Sequence, residues 1–180
     1  KETSGSKEEM TSTFTCGYGY IKWRNVTKDD AIPPQGEAYV SINFPMFRTG
    51  EAYLIAAEAI LRGAKGTKAE ALGYVNEIRE RAYMSGKYAK AGVRSDVSGD
   101  ITENELTLDF ILAERQRELA SELVRRTDLI RFGKYAKGNN WDWKNGQRLG
   151  ADVDDYRVLF PIPEAEMTNN PALKQNEGYK

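Results

Sequence analysis

The sequence has no histidine among its 180 residues. That absence removes Ser-His-Asp triads, Cys-His dyads, imidazole acid–base catalysis and ordinary His-ligated zinc sites. A single cysteine, Cys16, rules out an intramolecular disulfide and reads as a small packed side chain rather than a nucleophile. No stretch approaches the roughly 18 apolar residues of a membrane-spanning helix, and the opening KETSGSKEEM has no signal-peptide hydrophobic region. Charge of one sign is lacking as well: 26 Lys and Arg against 27 Asp and Glu leave a net charge of −1. No global field therefore draws the chain to nucleic acid or to an acidic membrane. Chemistry here must rest on carboxylates, Lys, Tyr or Ser, and neither a cofactor nor a bound metal is expected.

What the chain does have is charge embedded in helical apolar patterns. Its length suits one good core; residues 1–13 read as a linker-like opening or an expression remnant, and 14–180 as one domain. The organising stretch is Ile101–Lys134, ITENELTLDFILAERQRELASELVRRTDLIRFGK. Thr102 and Glu105 have the spacing of a capping box, Ile101 and Leu106 that of a hydrophobic staple, and together they predict one long helix over 103–125. Leu108, Ile111, Leu112, Leu119 and Leu123 fall on one face of it, which also carries Arg115, Glu122 and Arg126. An unpaired buried charge costs several kcal/mol, so these groups require partners elsewhere in the chain. Glu51 and Glu58, flanking the apolar stripe of a preceding helix predicted over 46–62, are the natural candidates.

That preceding helix is followed by the turn Gly63–Gly66 and by a second capping box, Thr67 with Glu70, which opens a helix over 68–83. So short a turn makes the two helices an antiparallel hairpin, with an interval close to the tetratricopeptide period of about 34 residues. The fold class expected is mainly all-α: a tetratricopeptide-like hairpin plus a long helix, with extended segments and long loops. The extended segments are Phe14–Tyr20, which alternates with period two, and Ala38–Phe44. Further on, Asp128 is placed to cap a short helix that Gly133 ends, Val158–Ile162 is an apolar run broken by Pro161, and Pro163 with Glu164 starts a helical turn.

The aperiodic loop Lys134–Asp155 holds Trp141 and Trp143 beside Asn140. Indole faces stack on sugar rings while Asn, Asp and Arg hydrogen-bond hydroxyls, which makes this loop the candidate ligand-binding site, with Trp23 as an outlying aromatic. The competing reading is a loop that tucks its tryptophans onto the helices. Asp152, Asp154 and Asp155 lack the Gly and distal Glu of a calcium loop and read as a solvated turn.

Five segments, RTGEAYLIAAEA (Arg48–Ala59), VNEIRERA (Val75–Ala82), ILAERQRELASELVRRTDLIRFGK (Ile111–Lys134), LFPIPEAEM (Leu159–Met167) and NPALKQNEGY (Asn170–Tyr179), resemble in order the C-terminal half of the SusD/RagB family. These are glycan-capture lipoproteins of Bacteroidetes outer membranes. The resemblance implies an α–α superhelix of tetratricopeptide-like hairpins and non-catalytic capture of oligosaccharide or polysaccharide at the outer cell surface. It also implies a SusC-like TonB-dependent transporter as partner and a lipid anchor upstream of this chain, since Cys16 lacks a lipobox. The matching motifs are expected to be scaffold, with Arg and Glu locking helices and the PIP and NP segments laying the tail against them. Two other readings stand beside it: a glycosidase using two carboxylates, which needs them about 5 to 9.5 Å apart in a cleft, and a structural fragment that only docks a transporter.

Overall fold

The computed structural model describes residues 22–23, 25–27, 29, 31–32, 42–89 and 97–179. The chain divides into two compact units, Lys1–Met46 and Phe47–Lys180. In the first, the rings of Trp23 and Phe44 stack 6.1 Å apart, and the Thr27 amide donates to the Ala31 carbonyl at 2.9 Å. The opening at 1–13, Cys16, the extended segment at 14–20 and residues 38–41 of the other lie outside the described residues, and 42–44 form no strand.

The second unit is helical: α1 (Thr49–Leu61), α2 (Lys68–Tyr83), α3 (Leu108–Glu118), α4 (Arg125–Arg131) and α5 (Glu164–Asn169), with no strand among the described residues. The hairpin forms as expected. Gly63, at φ 97°, turns the chain out of α1 with its amide on the Ile60 carbonyl, and the Ala64 amide reaches back to Ala59. Thr67 and Glu70 then form both hydrogen bonds of the capping box that opens α2. Leu54 and Ala57 of α1 meet Ala71, Val75 and Ile78 of α2, and Ile111 of α3 joins the same core together with Ile101 and Leu106. At the hairpin's side, Tyr53 and Tyr74 stack with centroids 5.5 Å apart.

The long helix expected over 103–125 is instead two helices. Thr102 and Glu105 do bond to one another, the Thr102 amide donating to the Glu105 carboxylate at 2.8 Å, but they close a turn. That turn buries Ile101 and Leu106, and Thr107 caps α3 by accepting the Phe110 amide at 3.1 Å. At the far end Ser121 (φ 64°) and Leu123 (φ 62°) adopt left-handed backbone, which costs roughly 1–2 kcal/mol per residue. Arg48 offsets that cost. Its guanidinium pairs with Glu118 and with Glu122 in the bend (Nε to Oε2 2.8 Å), and also donates to the Glu118 carbonyl at the end of α3. Burial alone would lower the basicity of Arg48, but the bonds from Glu122 and Glu118 outweigh it and hold the group above its ordinary value. With the bend in place Leu123 is 85% exposed, not a member of the core face. Asp128 is likewise not a cap: it lies inside α4, while Gly133 (φ 68°) does end that helix.

Across the helices runs an alternating chain of charge. Glu51 of α1 accepts Arg115 (3.1 Å), Arg115 donates to Asp128 (2.8 Å), Asp128 accepts Arg131 (2.7 Å), Arg131 pairs with Glu58, and Glu58 accepts Arg62 (2.7 Å). The carboxylates flanking the α1 stripe are thus the partners of the downstream arginines. Arg115 and Asp128 are both almost fully buried, and each has two partners of opposite charge to offset that burial.

The tail is held by side chains. Gln175 bonds Ile162 both ways, accepting its amide at 2.8 Å and donating to its carbonyl at 2.9 Å. Asn176 donates to the Phe160 carbonyl and the Tyr179 hydroxyl to that of Leu159, both at 2.8 Å, while Arg126 reaches the carbonyls of Arg157 and Val158. Pro163 precedes α5, as its position before Glu164 predicts.

Candidate functional site

The loop after α4 is built around one buried ammonium. Lys144 donates to the carbonyls of Ala136 and Asn139, each at 3.1 Å, and sits 5.0 Å from the centre of the Trp141 ring. Around it the Val153 amide bonds Ala136, the Ala151 amide bonds Lys144, and the Asn145 side chain bonds the Asp152 carbonyl at 3.0 Å. The aperiodic stretch is therefore a hydrogen-bonded structure that holds Trp141 beside the buried Lys144.

Trp141 lines a cavity of about 450 Å³ with Gln116 of α3, Arg125, Arg126 and Leu129 of α4, and Tyr135 and Asn139 of the loop. The Arg126 guanidinium lies 4.9 Å from the centre of the Tyr135 ring and 4.1 Å from that of Phe160. Arg125 donates to the Leu112 carbonyl at 2.9 Å. Burial pushes the Arg125 guanidinium below its ordinary value, with the nearby Asp128 carboxylate opposing. None of the lining residues is acidic. Aromatic surface, two side-chain amides and two arginines thus line one opening, a composition suited to stacking a ring and hydrogen-bonding its substituents.

Of the four residues expected to bind ligand, the structure places Trp141 on this cavity. Asn140 is its exposed chain neighbour and does not line it, its place being taken by Asn139. Trp143, 59% exposed and with left-handed backbone, does not line this cavity. Trp23 belongs to the other compact unit. Gln116, Arg125, Arg126 and Tyr135 were not singled out in the sequence as ligand contacts. The signal that was there is the adjacency of Arg125 and Arg126 just ahead of an aromatic loop.

A second cavity, about 480 Å³, lies where α1 and α4 meet and is lined by the alternating charge chain together with Ile55, Leu123 and Val124. The buried carboxylates Glu58, Glu114, Glu122 and Asp128 all accept hydrogen bonds from arginines. In the acidic run, Asp155 accepts Lys137 at 2.8 Å and Asp154 lies 3.7 Å from Arg157.

A sequence model of the SusD family matches residues 2–179. The chain belongs to the SusD family. Among its relatives is the starch-binding protein SusD of Bacteroides thetaiotaomicron, 38% identical over 173 residues, which span 96% of this chain and 28% of that protein. SusD-like protein P2 of Formosa agariphila is 35% identical over 142 residues, 77% of this chain and 26% of its own length. Among solved structures, a SusD superfamily protein from Bacteroides vulgatus superimposes with a TM-score of 0.58 at 32% identity, covering 79% of this chain and 29% of that one. This SusD-family chain spans a little over a quarter of the length of the relatives it matches. The all-α architecture derived above agrees with that structural match. Contacts tie four of the resembling segments together: Arg48, Glu51 and Glu58 of the first meet Glu118, Arg115, Glu122 and Arg131 of the third, and Ile162 of the fourth is clamped by Gln175 of the fifth, while the third also gives Gln116, Arg125, Arg126 and Leu129 to the Trp141 cavity.

Proposed function

We propose that this chain is part of a non-catalytic glycan-capture protein of the bacterial outer membrane, displayed at the cell surface and lipid-anchored in the full-length protein. It hands oligosaccharide or polysaccharide to a SusC-like TonB-dependent transporter. Membership of the SusD family and similarity to a starch-binding relative support this reading. The observation that carries it is the cavity that sets Trp141 and Tyr135 beside Asn139 and Gln116, a stacking surface with hydrogen-bonding amides on a rigid helical frame. Asn140 and Trp143 of the same loop are further proposed contacts for a longer glycan, and Trp23, in the first compact unit, is proposed as a separate aromatic contact. A cleavage mechanism would need two carboxylates at the sugar, and the lining of this cavity supplies none.

Native affinity electrophoresis of the 180-residue chain through a panel of polysaccharides tests the proposal, with Trp141→Ala and Trp143→Ala run as separate variants. The expected result is retardation that Trp141→Ala abolishes and Trp143→Ala only weakens. Release of reducing ends would replace capture by hydrolysis, and no retardation by any polymer would leave a scaffold that docks the transporter.

A further inference from the structure

Arginines in this fold are, as a rule, neutralised. Arg48, Arg62, Arg79, Arg81, Arg115, Arg117 and Arg131 each lie within salt-bridge distance of a carboxylate. Arg125 and Arg126 depart from that rule. No carboxylate of the described residues pairs with either; Arg125 bonds the Leu112 carbonyl, and Arg126 bonds those of Arg157 and Val158. The carboxylate that does act electrostatically on Arg125 is Asp128, and its two oxygens are already committed to Arg115 and Arg131. A third cation, the Lys144 ammonium, lies over the Trp141 ring and is likewise bonded to backbone carbonyls. The chain is almost neutral as a whole, so this is a local excess of positive charge, concentrated on an opening with no acidic lining residue.

Carbonyl oxygens satisfy hydrogen-bond geometry but carry no net charge to cancel a guanidinium. Two guanidinium groups half withdrawn from water beside an aromatic surface are therefore set to receive an anion, and guanidinium forks match carboxylate and sulfate oxygens in geometry. We propose that the Trp141 cavity selects acidic sugars: the pyranose ring stacks on the aromatic surface, and an anionic substituent of that ring, a uronate carboxylate or a sulfate ester, is held by Arg125 and Arg126. This deepens the glycan-capture reading and rests on it, by naming the class of glycan.

The test keeps the polymer backbone constant and removes its charge. Affinity electrophoresis of the whole chain is run through de-esterified polygalacturonate, the same polymer fully methyl-esterified, a sulfated carrageenan and neutral amylopectin. Polygalacturonate is expected to retard the chain and its methyl ester to do so at least about tenfold more weakly, the worth of a charge-assisted hydrogen bond. Raising the salt should weaken the acidic interaction and leave neutral binding unaffected. Retardation by carrageenan as well would support the same site with sulfate as the anion. Arg125→Gln should reduce binding of the acidic polymers, and Arg126→Gln should do so too if it retains the wild-type melting temperature. The polymer comparison stands whether or not that variant folds. Equal retardation by the ester, by amylopectin and by polygalacturonate would overturn the proposal while glycan capture survives. Silence from all four would overturn both.

Discussion

Two cavities of nearly equal size, about 480 and 450 Å³, share the seven-residue helix α4, which supplies a wall to each. Thr127, Asp128 and Arg131 line the first; Arg125, Arg126 and Leu129 line the second. Helical periodicity sorts neighbouring residues onto the two sides. On the first side three arginines, Arg62, Arg115 and Arg131, face three carboxylates, Glu51, Glu58 and Asp128, in strict alternation. On the second there are two arginines, and no carboxylate is present. The arginines alone do not distinguish a structural joint from a ligand site. The placement of the carboxylates separates the two cavities, because it decides whether the positive charge is already neutralised, and it is the ground on which the second is proposed as a ligand site.

That contrast is broken most directly at Arg115. Replacing it with Leu takes the arginine from Glu51 and leaves Asp128 with Arg131 alone, and urea melts should show a loss of about 3–5 kcal/mol, the range for a broken buried pair; a loss under about 0.5 kcal/mol would mean the charge chain is not a structural joint. Next in size is Glu122→Ala, which takes from Arg48 the acceptor that holds the bend between α3 and α4. A loss of about 1–3 kcal/mol is expected, with faster amide exchange across residues 119–124. Arg125→Gln should cost less, about 0.5–1.5 kcal/mol for one hydrogen bond to a carbonyl, since no carboxylate depends on it for pairing. A cost matching that of Arg115→Leu would erase the distinction between the cavities.

The smallest effect belongs to an ion pair outside both. Glu77 is lowered from its ordinary value by its bond to Lys87 and then by that to the Tyr88 hydroxyl. A lowered carboxylate stabilises the fold above its unfolded value, and that contribution disappears as pH falls through the folded value. The stability gap between wild type and Glu77→Gln should therefore be open at neutral pH and close on acidification, read from melts at a series of pH values.

The hairpin was legible because its signals are local. Thr67 with Glu70 and glycine at 63 set the boundaries of α1 and α2, and the structure returns α2 at the predicted residues. The break between α3 and α4 was not legible. Nothing in LASELV is a helix breaker, and Arg48, whose guanidinium bonds Glu118 and Glu122 at the bend, lies 70 or more positions earlier in the chain. The site was half legible for the same reason. Trp141 announced itself within an aperiodic loop, but its companions Gln116 and Arg126 sit on helices whose charges looked like scaffold. Only the pairing of the other arginines sets Arg125 and Arg126 apart, and pairing is a property of three-dimensional packing.

The clamp on the tail has a consequence for how this protein keeps to itself in crowded surroundings. Residues 159 and 160 form an extended apolar stretch with Leu159 58% and Phe160 70% exposed, the kind of segment on which a foreign strand could grow. Pro161 and Pro163 withhold amide donors, and the carbonyls of residues 157–160 and 162 are already taken by Arg126, Tyr179, Asn176 and Gln175. A neighbouring chain arriving there finds hydrocarbon to touch but no ladder to extend. The same contacts that hold the tail in place thus serve as a guard against templated aggregation.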